Sequence, residues 1–374
     1  MRSSINTHEN KNSSSQKQIK TLPCPPTMSS DHFFPLLFLL LSLDHCFSSA
    51  KRCHPDDEQA LLQIKAHFNN ADLFKTWTPQ TACCRKWSFV DCKRLPNSHI
   101  FRVNFLDIGP AEDINGEIPS EVGDLPYLET LFIHFLPNLT GPIPSAIGKL
   151  TRLQSLFLPS NNLTGSIPPF LSRLSNVSVI NLSNNRLTGQ IPSFLGHIST
   201  LEAIDLSQNQ LTGPIPPSFG LLGDDFQLFA SDNKLSGPIP RSLGQVRFNI
   251  LVLGGNQLTG DASFLFGKDK QSLTRLILSG NKLSFNLTNT VMSGSEREAE
   301  LLELDLSHNM IYGQLPTWLG HLSFMFEGFN VSYNQLCGPI PTEGGTLQKY
   351  DASAFSHNKC LCGAPLPPCK STLN

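Results

Sequence analysis

The chain has 374 residues, of which 28 are basic and 30 acidic, giving a formal net charge of −2 at pH 7. This near-neutral balance argues against a nucleic-acid-binding protein and against general attraction to a polyanion. Only 16% of the residues are charged, whereas Leu, Asn, Gly, Pro and Ser are abundant, and this composition favours a chain built from internal repeats.

The first fifty residues are typical of a targeting segment. The apolar run FFPLLFLLLSL at 33–43 has the length of a signal-peptide core and is too short to span a bilayer. We predict a leader over 1–50, with a signal peptide at 28–50 cleaved after Ala50 and residues 1–27 as an upstream over-extension of the gene. The alternatives are a long polar segment in front of the signal core, or an uncleaved anchor. The expected product is secreted, extracellular and without a membrane span after cleavage.

Eight of the ten cysteines follow this leader, in two clusters of four. The clusters are Cys53, Cys83, Cys84 and Cys92, and Cys337, Cys360, Cys362 and Cys369. An even number gathered at the two ends of a secreted chain indicates disulfide-stapled caps. Zinc is the disfavoured alternative, because the clusters lack CxxC pairs with His at ligand spacing. We expect no metal and no cofactor, and spacing alone leaves the disulfide connectivity open.

Between the clusters lies a repeated pattern. We place an N-terminal cap at 51–100, with an amphipathic helix at 56–68, and ten leucine-rich repeats at 101–341. One copy is LQSLFLPSNNLTGSIP at 153–168. In each copy the L-x-L core forms a short strand with its Leu side chains inward, and the recurrent Asn satisfies backbone groups where the chain bends. A C-terminal cysteine-rich cap is expected at 342–374.

The predicted fold is an α/β solenoid. Stacked turns share one continuous apolar core, which a single turn cannot form alone. We therefore expect a right-handed leucine-rich-repeat superhelix of about ten repeats, with a parallel sheet on its concave face and disulfide-stapled caps. The Leu, Ile and Asn positions are structural in this interpretation, so function is sought among the outward strand residues.

The outward strand positions form the predicted partner-binding surface. They are Thr130, Phe132, His134, Ser155, Phe157, Val179, Asn181, Asp205, Gln227, Phe229, Val252, Arg275, Glu303 and Asp305. Exposed aromatic residues on a rigid face are good interface anchors, although scattered surface apolar residues are also common. The acidic members face either a basic patch of a partner or simply solvent.

Six Asn-x-Ser/Thr sequons follow the leader. They lie at Asn138, Asn162, Asn176, Asn181, Asn286 and Asn330. Each is a possible N-glycosylation acceptor in a secreted protein. A glycan on Asn181 would stand on the predicted binding surface and block part of it.

Several motifs together resemble one family. LTGPIP at 139–144 and LTGSIP at 163–168 have the plant extracellular repeat form, and DDEQALLQIK at 56–65 resembles the N-terminal cap of plant receptors and inhibitors. GDASFLFGKDK at 260–270 and NKCLCGAPLPPC at 358–369 are more specific, and they look like the polygalacturonase-inhibiting proteins.

This resemblance implies both connectivity and function. It implies the disulfides Cys53–Cys83, Cys84–Cys92, Cys337–Cys360 and Cys362–Cys369. It also implies a non-enzymatic inhibitor of fungal endopolygalacturonases in plant defence, located in the plant cell wall, which covers the substrate cleft of the enzyme with its concave face. Cell-wall pectin is a further expected partner.

The chain departs from the family at two places. Phe89 stands in WSFVDC at 87–92, where the family has Gly, and the segment TVMSGSEREAE at 290–300 is longer and more acidic than expected. The main alternative function is a soluble receptor-like module that binds a peptide, a pectin fragment or a receptor-kinase partner, since fold does not fix function. A glycoside hydrolase using Glu303 and Asp305 is disfavoured because both carboxylates are expected on an open strand face. Ice binding is disfavoured by the mixed side chains of that face.

Overall fold

The computed structural model describes residues 52–270, 272–292, 301–322 and 327–370. The predicted leader at 1–50 and most of the acidic insertion near 291–300 lie outside the described residues. Within those ranges, no helix combines the length and the apolar character needed to cross a membrane.

The N-terminal cap packs a short helix and four aromatic side chains under the first repeats. Helix α1 (Pro55–His67) begins with Pro at its first turn and carries three acidic residues there, which favours a helix start. Ala60, Leu61 and Ile64 are its buried apolar residues. The cap continues through η1 (Asp72–Phe74), α2 (Cys83–Lys86) and β1 (Val90–Arg94). Phe68, Phe74, Trp77 and Trp87 form a chain of ring contacts with centroids 4.6–6.0 Å apart.

One large sheet of eleven strands runs through the repeats. Strand β1 pairs antiparallel with β2, and every later pair in this sheet is parallel. The parallel strands are β2 (Phe101–Ile108), β4 (Thr130–Ile133), β6 (Ser155–Phe157), β7 (Val179–Asn181), β8 (Ala203–Asp205), β10 (Phe226–Phe229), β12 (Phe248–Val252), β14 (Arg275–Ile277), β16 (Glu303–Asp305) and β18 (Gly328–Asn330). The prediction of stacked repeats with a parallel sheet is confirmed.

Alternation along each strand separates core from surface. In β6, Leu156 is fully buried while Ser155 and Phe157 are half-buried on the outer side. Leu131, Ile180, Ile204 and Leu228 occupy the same inward register on neighbouring strands. These side chains form a single continuous core, as the shared apolar face of stacked turns requires.

The recurrent Asn residues connect adjacent turns. Asn209 Oδ1 accepts the backbone N–H of Leu187 at 3.0 Å, and its Nδ2 donates to the carbonyls of Leu182, Leu206 and Ser207 at 3.0–3.2 Å. Equivalent bonds recur in the other repeats, and Asn358 continues them into the C-terminal cap. These amides pair backbone groups that a buried bend would otherwise leave unsatisfied.

The return path of each turn consists of short strands and single turns of 3-10 helix. The short strands are β3 (Asn115–Glu117), β5 (Asn138–Thr140), β9 (Thr212–Gly213), β11 (Lys234–Pro238), β13 (Gln257–Gly260), β15 (Lys282–Leu283), β17 (Tyr312–Gly313), β19 (Gln335–Pro339) and β20 (Cys360–Cys362). The 3-10 helices are η2 (Ser120–Asp124), η3 (Ser145–Lys149), η4 (Pro169–Arg173), η5 (Ser193–His197), η6 (Pro217–Leu221), η7 (Arg241–Gln245), η8 (Ser263–Leu265), η9 (Thr317–His321), η10 (Thr346–Lys349) and η11 (Ala352–Ala354). Most of these helices follow Pro, which fixes the backbone at the turn.

Disulfides staple both ends of the repeat array. The structure contains Cys53–Cys83 and Cys84–Cys92 in the N-terminal cap. Cys337–Cys360 holds the C-terminal cap against β19, and Cys362–Cys369 closes a loop within the cap. These are the four pairs that the family resemblance implies. The sulfur atoms of Cys53, Cys83 and Cys84 lie within 4.8 Å of one another, but all three are in disulfides and therefore offer no thiolate to a metal.

Candidate functional site

The outer side of the ten parallel strands, here called the strand face, carries two rows of side chains in register. The first row is Phe105, Thr130, Ser155, Val179, Ala203, Gln227, Ile250, Arg275, Glu303 and Gly328. The second row is Asp107, Phe132, Phe157, Asn181, Asp205, Phe229, Val252, Ile277, Asp305 and Asn330. Neighbouring members of a row are about 4.8 Å apart, the spacing of paired strands. Thirteen of the fourteen predicted contact residues lie in these rows, and His134 follows β4 directly.

Aromatic rings gather at the N-terminal end of the strand face. The rings of Phe132 and Phe157 stack with their centroids 4.4 Å apart and their planes 8° apart. Phe105 packs against Phe132 at 5.8 Å. All three side chains are partly exposed, so they present apolar area to solvent without belonging to the core. Phe229 lies three strands beyond Phe157 in the same row and stands apart from this cluster.

His134 joins the aromatic cluster and is held there by Asp107. The His134 Nε2 lies 2.9 Å from Asp107 Oδ1, and the imidazole contacts the rings of Phe132 and Phe135 edge-on. Phe135 is 57% exposed. We call Phe105, Phe132, His134, Phe135 and Phe157 the aromatic patch. Its rigid, preformed rings are the kind of anchor that dominates protein interfaces.

The sequence prediction did not include Phe105, Asp107 or Phe135 in the contact surface. Phe105 and Asp107 occupy outward positions of β2, and the one-residue insertion in the first repeat hid their register. Phe135 lies outside the strand, in a left-handed turn with φ of 52°. Phe105 and Asp107 alternate with the buried Leu106 and Ile108, and this alternation was the available signal for both.

The C-terminal part of the strand face mixes apolar side chains with charged ones, and its charges partly neutralise each other. Arg275 Nε lies 2.6 Å from Glu303 Oε2 on the next strand, so this pair cancels its own charge. Asp205 and Asp305 each accept the backbone N–H two residues ahead at 2.9 Å. These two carboxylates therefore give the face its acidic character.

A hydrolytic centre is not formed by these carboxylates. Glu303 forms an ion pair with Arg275, and Asp305 accepts a hydrogen bond from the N–H of Ser307. Both lie on one short strand of an open face rather than on opposite walls of a cleft. A glycosidase needs a proton donor and a second carboxylate on either side of the scissile bond, which this arrangement does not supply.

The six sequons fall on different surfaces. Asn181 and Asn330 lie on the strand face, in the same row as Phe132. Asn138 begins β5, Asn162 and Asn286 lie near the short strands, and Asn176 lies in the loop before β7. The sequence prediction recognised the position of Asn181 on the face and did not recognise that of Asn330.

Comparison with known proteins gives matches over nearly the whole described chain. The family described as leucine rich repeat N-terminal domain matches residues 54–93, and leucine rich repeat families match 151–211 and 300–322. Polygalacturonase inhibitor 1 of Arabidopsis thaliana is 52% identical over 336 residues, which cover 90% of this chain and 98% of the relative.

Solved structures share the same architecture. A plant ice-binding protein superimposes with a TM-score of 0.79 at 42% identity, covering 86% of this chain and 99% of that protein. The crystal structure of PEPR1-AtPEP1 superimposes with a TM-score of 0.65 at 28% identity, covering 83% of this chain and 46% of that one.

Proposed function

The chain belongs to the polygalacturonase-inhibitor family of leucine-rich-repeat proteins, and we propose that it inhibits fungal endopolygalacturonases in plant defence. Members of this family are not enzymes, and neither is this chain. We place its action outside the cell, in the plant cell wall, after removal of the predicted leader. Binding to cell-wall pectin stays a prediction.

The aromatic patch is the single observation that best supports this function. Phe132 is flanked by Phe105 on one side and Phe157 on the other, so its ring is held in one orientation before any partner arrives. Little conformational entropy is lost when such a preorganised ring is buried. An enzyme surface that covers the patch excludes water from it and gains apolar contact area.

The proposed mechanism is steric. The inhibitor contributes no reacting group, and it blocks the access of polygalacturonate to the cleft of the bound enzyme. The other predicted positions, from Val179 to Asp305, extend the strand face towards the C-terminal cap and add acidic groups at Asp205 and Asp305.

An inhibition assay tests the proposal. Secreted protein with its disulfides formed is titrated against a panel of fungal endopolygalacturonases, while reducing ends released from polygalacturonate are counted. We expect saturable inhibition of at least one enzyme, with a rise in apparent KM and an unchanged kcat. Phe132→Ala should weaken it, whereas Leu221→Ala, at a 67% exposed residue of η6 outside the large sheet, should not.

The opposite outcome favours the receptor-like alternative. If the folded protein inhibits no enzyme of the panel, the inhibitor proposal fails and the fold remains. The search would then turn to the peptide, pectin-fragment or receptor-kinase partner of that alternative. Ice binding is not favoured, because the rows of the strand face mix aromatic, acidic, basic and aliphatic side chains rather than repeating one small polar residue.

A further inference from the structure

We propose that Asn181 and Asn330 carry N-glycans that mask the strands between them, so that a protein partner binds the strand face at the aromatic patch. The masking does not depend on which partner the chain binds. Only the identity of the partner rests on the proposed inhibitor function.

The amides of these two sequons are oriented for modification. Asn181 Oδ1 accepts the N–H of Ser183 at 2.9 Å and its hydroxyl at 2.7 Å, and Asn330 Oδ1 accepts the N–H of Ser332 at 3.0 Å. Among the described residues, no buried side-chain nitrogen or oxygen lacks a hydrogen-bond partner. The Nδ2 atoms of Asn181 and Asn330 make no bond there, so they lie at the solvent-accessible surface.

Three other sequons have a different arrangement. The Nδ2 atoms of Asn138, Asn162 and Asn176 donate to backbone carbonyls of the preceding turn at 2.9, 2.5 and 2.6 Å. A glycan on any of these would share its amide nitrogen with that bond and would be held along the side of the turn. At Asn181 and Asn330 the oxygen is held and the nitrogen is left for the sugar.

Glycosylation at these positions leaves the strand geometry intact. Asp205 and Asp305, at the same row position of β8 and β16, make the same Oδ1 bond to the N–H two residues ahead at 2.9 Å. The bond therefore needs only the acceptor oxygen, which a glycosylated Asn retains. The same comparison makes Asn→Asp a conservative way to remove each glycan.

The separation of the two sites limits what can bind between them. Asn181 and Asn330 are six strand spacings apart in one row, or about 29 Å. The five intervening strands expose about three residues each, an area of roughly 24 Å by 10 Å. A typical interface buries roughly 800 Å² on each partner. A globular partner centred there has to overlap a strand that bears a glycan.

The aromatic patch lies on the open side of Asn181. Strands β1, β2, β4 and β6 contain no sequon. The ring of Phe157 stacks parallel to Phe132, so its second face points along the row towards Asn181 on the next strand. The first sugar on Asn181 can pack on this face, which leaves Phe105, Phe132 and Phe135 for the partner.

The masking is tested without any enzyme. Glycopeptide mass spectrometry of the secreted full-length chain should find sugar on both Asn181 and Asn330. Hydroxyl-radical footprinting should then show a severalfold rise in oxidation of Phe229 in the Asn181→Asp/Asn330→Asp variant, with little change at Phe132. Asn176→Asp, which removes a sequon off the strand face, is the matched control. An unmodified Asn181, or equal oxidation of Phe229 in all three proteins, overturns the proposal.

A second measurement tests whether the glycans keep a protein partner away from the masked strands. Ala203 lies on the masked strand β8, next to the strand of Asn181. In the glycosylated protein, Ala203→Lys should leave inhibition of a responsive polygalacturonase unchanged, whereas in the Asn181→Asp background the same substitution should alter it. Equal effects of Ala203→Lys in the two backgrounds contradict a mask. Failure to inhibit any enzyme affects only the proposed function, because the footprinting result stands independently of it.

Discussion

Asp57 of the cap helix and Arg102 of the first parallel strand form a two-pronged ion pair. Arg102 Nη2 lies 2.6 Å from Asp57 Oδ1, and Nε lies 2.9 Å from Oδ2. Asp57 is 1% exposed and also accepts the N–H of Val103. The hydrogen bonds that Arg102 donates to Asp57 raise the pKa of the guanidinium above its ordinary value. The guanidinium, which also stacks over Tyr127, stays charged and fastens the cap to the sheet.

Loss of this pair should destabilise the protein strongly. Arg102→Leu leaves the Asp57 carboxylate buried without its cation, and we expect a loss of about 3–5 kcal/mol in the free energy of unfolding. The control is Lys75→Leu, which breaks the exposed pair with Asp72 and should cost less than about 1 kcal/mol. Urea denaturation followed by circular dichroism measures both. Similar losses in the two variants would contradict the assigned role of Asp57.

The backbone angle at Phe89 explains why the family pattern has Gly at this position. Its φ is 68°, in the left-handed region where a side chain is strained and Gly is not. We predict that Phe89→Gly stabilises the protein by about 0.5–1 kcal/mol, since the backbone strain it relieves outweighs the contacts of a ring that is 39% exposed. Phe89→Ala keeps the strain and should give no such gain. Thermal unfolding of the three proteins decides this, and a lower midpoint for the Gly variant would refute it.

Glu129 should make stability depend on pH in the acidic range. The Lys93 ammonium, 2.8 Å from its Oε1, lowers the pKa of this carboxyl below 4.5. Because the folded pKa lies below the unfolded one, this contribution is present above about pH 4.5 and is lost as the pH falls through the folded pKa. Glu129→Gln should therefore be less stable than the parent at pH 7, and the difference should vanish on acidification. A difference that persists unchanged at pH 3 (roughly one unit below the ordinary value) would contradict the assignment.

Asn209 illustrates how much each turn depends on its neighbour. Asn209→Leu removes the acceptor of the buried Leu187 N–H. The Leu182 carbonyl loses the bond from Asn209 but keeps the one from Asn185 Nδ2 at 3.1 Å. At about 1–3 kcal/mol for an unpaired buried group, we expect a loss of about 2 kcal/mol in the free energy of unfolding. Gln210→Ala, at the exposed next residue, should change it little. Equilibrium denaturation separates the two, and a small effect of Asn209→Leu would mean that water replaces the amide.

Phe132 is the expected anchor of the inhibitor interface. Truncation of a central, prestacked ring typically costs about 1.5–2 kcal/mol in binding, which is roughly tenfold to thirtyfold in the inhibition constant. We predict this loss for Phe132→Ala and none for Leu221→Ala, with both measured by titration of a responsive polygalacturonase. Unfolding midpoints of the two variants show whether the fold is preserved. An equal loss of inhibition in both would argue against the aromatic patch.

The repeat period determined most of the fold at the sequence level. Inward Leu and outward neighbours follow from the period of two within each strand, so the register of Phe132, Phe157 and Asp205 was readable. Features that depend on contact between turns could not be read from the sequence. The stacking of Phe105 on Phe132 depends on the exact strand pairing, and the Asp57–Arg102 pair joins residues 45 positions apart in the chain.

The contact surface was predicted as fourteen separate positions. In the structure some of these residues form a cluster, and others pair with each other. The aromatic members at β4 and β6 form one cluster, while Arg275 and Glu303 satisfy each other. Pairwise side-chain partners have no sequence signal when each lies in a different turn. Phe135 was missed for another reason, because an exposed left-handed turn residue has no periodic position.

The antiparallel strand β1 has a consequence for assembly. A stack of parallel strands ends in an edge whose free backbone groups can pair with another chain. β1 covers that edge at β2, and the segment near η11 covers the other end through bonds from Val331 and Tyr333 to Ala354 and Ser356. Both covers lie beside disulfides. We therefore expect that reduction of these disulfides loosens both covering segments, and that the exposed ends of different molecules then join end to end into filaments while the middle turns are still folded.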